Sequence, residues 1–356
     1  FTFREPAFGI PDMTPLLLAL AFAPAAEPAP WAADEAKYLA NTQQVTTGFV
    51  RAGEGYFAPD GKRIIYQAEE KDTGNPFYQI FVQDLGTGKF TRVSPGKGRT
   101  TCAYFHPTKD RIIFASSHED PDAKKHQDAE FRQREEDAKA GKRRRYSWDF
   151  DPYMKIYEAN PDGTDLKCLT PDAKAYTAEG SFNKDGSKIV YSSGNAGDVQ
   201  IYIMDADGKN PKQLTTAKNC YNGGPFLSPD GTKVIFRSDR KEKDRLQLYV
   251  VNADGTGEKA LTDNDKWVYW APYWYKDGKH IVYTAADHSD ETKRPNYDLY
   301  WMNLETGKTT RLTTAPGQDV LPVFSPDYKK LMWTSSRDGR SPTQLYIADF
   351  TPPKDD

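Results

Sequence analysis

The stretch Pro225 to Ser238, PFLSPDGTKVIFRS, joins an apolar strand end at Phe226 and Leu227 to a second strand opening with Val234, Ile235 and Phe236. Between them, Pro229 presets the φ of a turn and Gly231 accepts positive φ at little cost, so the spacing predicts a tight hairpin. The same unit occurs six times in the 356-residue chain: at Phe57-Ala58-Pro59-Asp60-Gly61, Phe105-His106-Pro107-Thr108-Lys109, Phe182-Asn183-Lys184-Asp185-Gly186, Leu227 to Gly231, Trp274-Tyr275-Lys276-Asp277-Gly278 and Phe324-Ser325-Pro326-Asp327-Tyr328. An apolar run follows each, such as Arg63-Ile64-Ile65-Tyr66, then a third strand such as Gln200 to Asp205. Five units end in a short closer: Arg92-Val93-Ser94, Cys168-Leu169-Thr170, Gln213-Leu214-Thr215, Ala260-Leu261-Thr262 and Arg311-Leu312-Thr313. Four-stranded units repeating at roughly 40 to 50 residues predict an all-β, six-bladed propeller.

The sixth unit has no closer of its own, because Gln344 to Asp349 runs into Thr351-Pro352-Pro353. The segment Asn41 to Thr47 resembles Lys212 to Thr216 and Arg311 to Thr314, and is expected to complete the last blade and remove the open edge. The expected division is a leader at 1–40, one propeller at 41–350 with an insert at 120–145, and a tail at 351–356.

From about Asn41 to Phe350 these residues resemble the TolB-type propeller repeat, the Pro-Asp relative of the WD repeat. The resemblance implies the architecture and leaves the ligand open, since propellers of this kind serve as scaffolds, as partners of other domains and as parts of enzymes. Complete TolB proteins carry a separate domain before the propeller. The forty residues before Asn41 are expected to be mostly leader, so the resemblance is to the propeller alone and the family's role in the Tol–Pal envelope system is not carried over.

Within the leader, Met13 is a candidate start, Leu16 to Ala23 a short apolar segment and Ala23-Pro24-Ala25 a candidate cleavage site. An export signal, an otherwise disordered leader and a periplasmic or secreted location are expected; the apolar segment is too short to span a membrane. A net charge of −3 offers no attraction to nucleic acid or anionic lipid. Cys102, Cys168 and Cys220 are odd in number and lie in or beside different blades, so free, mostly buried thiols are expected. Aromatic residues, 13% of the chain, suit blade-to-blade packing.

Turns after the first and third strands are tight, whereas the other connections include Glu69 to Phe77, His118 to Tyr153 and Ala285 to Asn296. Long loops on a rigid scaffold mark this as the functional face. The insert Asp120 to Arg145 reads as a charged helix, with Pro121 suited to its first turn and Gly141 to its end. It is expected over the ring mouth, as a lid or as a solvated helix. Trp148 and Asp149 follow it, as a ligand platform or as the peg that seats the insert.

Six residues before each turn Asp, or the residue in its place, stand Glu54, Cys102, Glu179, Gly224, Ala271 and Leu321. With Thr100, Thr101, Tyr176, Tyr221, Asn222, Trp267, Tyr269, Trp270 and Asp319, the two carboxylates Glu54 and Glu179 are the candidate ligand-binding residues at a central channel mouth. They also form a candidate acid–base pair. The alternative is that both acids hold backbone groups and waters.

No G-x-S-x-G or H-E-x-x-H occurs, and the five histidines are dispersed, so no metal or cofactor is expected. Asp205-Ala206-Asp207-Gly208 and Asn252-Ala253-Asp254-Gly255 lack the terminal Glu of a calcium loop and recur where blades need turns. The expected function is a non-catalytic binding or scaffold module for a protein, peptide or glycan, acting as a monomer. The alternative is a periplasmic lyase or hydrolase, or the propeller subunit of a peptidase.

Overall fold

The computed structural model describes residues 29–142, 150–290, 292–337 and 342–355. Helix α1 (Pro30–Glu35) and strand β1 (Leu39–Gln44) come first. Blade one is β2 (Arg51–Phe57), β3 (Arg63–Glu69), β4 (Gln79–Asp84) and β5 (Phe90–Arg92). Blade two is β6 (Thr100–Phe105), β7 (Ile112–Ser116), β8 (Lys155–Ala159) and β9 (Lys167–Cys168), with helix α2 (Ala123–Lys139) between β7 and β8. Blade three is β10 (Tyr176–Phe182), β11 (Lys188–Asn195), β12 (Asp198–Asp205) and β13 (Lys212–Gln213). Blade four is β14 (Asn222–Leu227), β15 (Lys233–Ser238), β16 (Gln247–Asn252) and β17 (Lys259–Ala260). Blade five is β18 (Trp267–Trp274), β19 (His280–Asp287), β20 (Asp298–Asn303) and β21 (Thr309–Arg311). Blade six is β22 (Asp319–Phe324), β23 (Lys330–Ser335) and β24 (Gln344–Phe350), with β1 paired antiparallel to β24 as its fourth strand.

The repeated turn works through its Asp. Asp60, Asp185, Asp230, Asp277 and Asp327 each accept the backbone N–H two residues on, at 2.8–3.1 Å, which satisfies a donor the reversal would otherwise strand. Blade two has Thr108 in that place. There the His106 ring takes over, its Nδ1 accepting from the Thr108 and Lys109 amides.

The closers work through their hydroxyls. Ser94, Thr170, Thr215, Thr262 and Thr313 each accept, at 2.9–3.0 Å, an N–H near the start of the third strand: from Ile80, Ile156, Ile201, Leu248 and Leu299. Thr46 does the same for Leu345 at 2.9 Å. The residue before each hydroxyl adds a backbone bond, and Val45 N–H to Leu345 repeats it. The amino-terminal segment therefore closes blade six with the chemistry every other blade uses.

The ring begins earlier than Asn41. Residues 30–40, expected to be leader, contribute α1 and the start of β1, and Leu39 is buried beside Phe350 and Trp333. Glu35 is the cause. Its carboxylate accepts from the Thr314 and Ala315 amides at 2.7 and 2.9 Å and pairs with buried Arg337 at 3.1 Å. A buried anion needs such partners, and these hold the helix to the crossing between blades five and six. The candidate start and cleavage site lie outside the described residues.

Helix α2 ends in a Schellman arrangement: Gly141, at φ +61°, donates to Ala138 and Lys142 to Asp137. It rests on blade one's long loop. Arg134 reaches Glu69 at 2.6 Å and the Pro76 carbonyl at 2.8 Å, and Gln127 reaches the Gly74 carbonyl at 3.2 Å.

Candidate functional site

Midway along each innermost strand the pairing register slips. At those slips stand the six residues the repeat aligns: Glu54, Cys102, Glu179, Gly224, Ala271 and Leu321, all with φ between 45° and 59°. Five are not glycine, so the bulge imposes on them a backbone that L-residues seldom adopt. Neighbouring blades hold these bulges: the amides of Glu54 and Leu321 donate to Thr334 and Thr284 at 2.9 and 3.1 Å.

Glu179 is the best-connected of the six. One carboxylate oxygen accepts from Tyr176 at 2.9 Å and Tyr221 at 2.7 Å. The other accepts from Ser192 at 3.1 Å and from the Gly224 amide, and Arg237 lies 3.5 Å away. Arg237 also donates to the Tyr221 hydroxyl at 2.7 Å. Burial opposes the Arg237 charge, but Tyr221 and the Glu179 carboxylate outweigh it and raise its pKa. A Cβ at Gly224 would stand 2.1 Å from Arg237 Nη1, so any larger residue there would have to displace the guanidinium.

Glu54 is half-buried in the same constellation, where burial pushes its carboxyl up against the opposing pull of Cys102 and Arg237. Its Tyr56 contact is long, at 3.4 Å. The Cys102 thiol is raised well above its ordinary value by burial and by the Glu54 and Glu179 charges. Blades one, two, three and four thus contribute one acid–thiol–acid–guanidinium group.

Two residues further along four of these strands come Tyr56, Tyr104, Phe226 and Tyr273. Their rings pack across the ring's centre at 4.9–6.5 Å between centroids. Tyr104 and Tyr273, on opposite blades, join hydroxyls at 2.8 Å. This layer was legible as an aromatic two positions past four of the six aligned residues, but the sequence reading did not select it. It did not find Arg237 or Ser192 either, for they lie on second strands outside that alignment.

The other candidates separate. Tyr176, Tyr221 and Trp270 join the constellation, Trp270 through its face, 5.9 Å from the Arg237 guanidinium. Thr100 donates to the Tyr78 carbonyl and Thr101 to Gln67. Asn222 binds Val199, Gln200 and Arg240, and Asp319 binds Trp333, Ser335 and Arg337. Those four are tied to neighbouring strands. Trp267 and Tyr269 stack at 6.1 Å within blade five, and Trp148 and Asp149 lie outside the described residues.

The histidines stay apart. His118 meets Ser116, His126 meets Asp120 and His288 meets Tyr297, while His280 sits between Asp277 and Asp355, which raise its pKa against the effect of burial. Among the described residues no three His, Cys, Asp or Glu side chains converge as metal ligands. Asp207 and Asp254 are occupied by their own turns, accepting from the Lys209 and Thr256 amides. All three cysteines are free.

Residues 171–294 match the family model described as the TolB beta propeller domain. No curated protein matches the chain. Among solved structures, a protein of Agrobacterium tumefaciens assigned as TolB is 19% identical, with 85% of this chain and 91% of that one covered and a TM-score of 0.56. TolB from Acinetobacter baumannii is 18% identical over 83% of this chain but only 65% of its own length, TM-score 0.55. Oligogalacturonate lyase from Vibrio parahaemolyticus is 14% identical over 86% of this chain and 93% of its own, TM-score 0.51. At these identities the likeness to solved structures is one of fold.

Proposed function

We propose, from the premise that this chain is a TolB-like six-bladed β-propeller, that it is an exported, non-catalytic module binding a protein, peptide or glycan on its long-loop face. The observation that carries this reading is the state of Glu179. A general base needs a lone pair free to take a proton, and both Glu179 oxygens are engaged by Tyr176, Tyr221, Ser192 and the Gly224 amide beside a buried guanidinium. The aromatic layer beneath restricts the centre further. What remains accessible are the long connections, which carry exposed aromatics at Phe131 and Tyr153. Periplasmic or secreted placement follows the export signal expected in the leader; no described helix is long and apolar enough to cross a membrane.

Glu54 supports a second reading, a lyase or hydrolase, because its raised carboxyl beside Arg237 has the character of a general acid. One experiment separates the two. The immobilised chain is exposed to envelope and secreted fractions, and the purified chain is screened for turnover of oligosaccharides and peptides. The binding reading expects a retained partner, lost in the Phe131→Ser/Tyr153→Ser double variant, and no turnover. Turnover abolished by Glu54→Gln, with nothing retained, sinks it.

A further inference from the structure

Where blades five and six meet on the long-loop face there is a cavity of about 210 Å³. Arg294 and Asn296 of the β19–β20 connection line it, as do Gly317 and Gln318 of the crossing into β22, and Ser336 and Thr343 of the β23–β24 connection. At roughly 30 Å³ per liquid water, this is room for a functional group and a few carbons behind it.

The walls are set by hydrogen bonds between the connections that line them. Asn296 Oδ1 accepts the Gly317 amide at 2.7 Å, and Ser336 Oγ accepts the Gln318 amide at 2.9 Å, so the Ser336 hydroxyl proton remains to give. Gly317, at φ +122°, lets the crossing approach Ser336, whose carbonyl would lie 2.9 Å from a Cβ there. Among the described residues, Arg294 makes no ion pair, and neither the Gln318 side-chain carboxamide nor the Thr343 hydroxyl has a side-chain partner. The nearby acid Asp298 is already held by Arg311 at 2.6 Å and by Asn296 at 3.0 Å. Among the described residues, the cavity therefore gathers a guanidinium without an ion pair, a carboxamide and two hydroxyls, all able to donate.

We infer that this cavity recognises the carboxylate of a bound peptide. A guanidinium fork matches two carboxylate oxygens in one plane, and neighbouring hydroxyls can meet the remaining lone pairs. The lining holds no aromatic ring on which a sugar face would rest, which favours an acyclic carboxylate over a uronic acid. The site is separate from the Glu54–Glu179 constellation. It deepens the binding reading by naming a ligand chemistry, and rests on that reading only for the partner's being a peptide.

The test is titration calorimetry on the full chain at low salt. The probes are N-acetyl-dialanine with a free carboxy terminus, the same peptide amidated, the amidated peptide with an aspartate side chain, and galacturonate. Saturable binding is expected for a free carboxyl terminus or an aspartate side chain, whichever is the source, and not for the plain amide. Arg294→Gln should weaken it by at least about tenfold, the loss of hydrogen bonds to a charged group; Arg294→Lys should weaken it less, and salt should attenuate it. Arg294 is exposed, so the melting temperature of each variant should match the parent. Equal binding of the amidated peptide, tighter binding of galacturonate, or affinity unchanged in Arg294→Gln each overturns the assignment. A retained partner whose capture survives Arg294→Gln would leave the binding module intact while removing this site from it.

Discussion

Glu179 joins blades three and four through one carboxylate, and its removal should be costly. Glu179→Ala leaves Arg237 buried without its counter-charge and strips acceptors from Tyr176, Tyr221 and Ser192. Breaking a buried pair from one side typically costs about 3–5 kcal/mol, which denaturant unfolding should register as a lowered midpoint. A loss below about 1 kcal/mol would mean that the cluster is solvated and its carboxylate free for other work. A different acid should make stability depend on pH. Burial raises Asp298 from 3.8 to about 6 although Arg311 pulls the other way. Because the folded pKa lies above the unfolded one, the neutral acid favours the native state: that contribution is full below pH 3.8 and is lost as pH rises through about 6. Asp298→Asn should therefore gain stability relative to the parent between pH 4 and 7, by at most about 3 kcal/mol. A constant difference across that range would place the Asp298 pKa near its ordinary value.

Apart from the His126–Asp120 contact within the insert, the bonds described between helix α2 and the ring reach the neighbouring blade one. Arg134 and Gln127 tie it to the loop between β3 and β4, while Glu69 keeps Arg51 at 2.8 Å as a second partner. Its apolar content is small, with Phe131 exposed. Replacing residues 122–141 by a short Gly linker should accordingly leave six folded blades and cost no more than about 1–2 kcal/mol, since the flanking strands β7 and β8 stay paired without it. Circular dichroism and thermal melting would check this, and failure of the variant to fold would make α2 part of the core.

Closure is a property of the whole ring, because β1 and β24 come from opposite ends of the chain. Thr46 bonds Leu345 and Gln344 across 299 and 298 residues. Thr46→Val should cost about 1 kcal/mol, the net worth of such a bond, and Ser94→Ala should cost a similar amount for the same reason in blade one. Deleting residues 30–46 removes the strand, the Glu35 carboxylate facing Arg337 and the Leu39 contacts together, so its midpoint should fall by several kcal/mol, far beyond either single change. If that truncation unfolds at the parent's midpoint, blade six is stable with an open edge and the ring needs no clasp.

The blade count, the turns, the closing strand and the equal depth of Glu54, Cys102, Glu179, Gly224, Ala271 and Leu321 were all determined by sequence alone. Each depends on contacts within one repeat or on register between repeats: an Asp two residues from the amide it accepts, a Thr fourteen residues from the third strand it closes. Such signals survive in one dimension because they recur. Only the tertiary structure decided what Glu179 does, since Arg237 and Tyr221 belong to the next blade and reach it only after packing. The Tyr104–Tyr273 link spans 169 residues and opposite blades, and Glu35 meets Arg337 across 302. No repeat marks those partners. They are non-local pairings, chosen by how the blades close on one another, and the ring supplies that geometry only when it is complete.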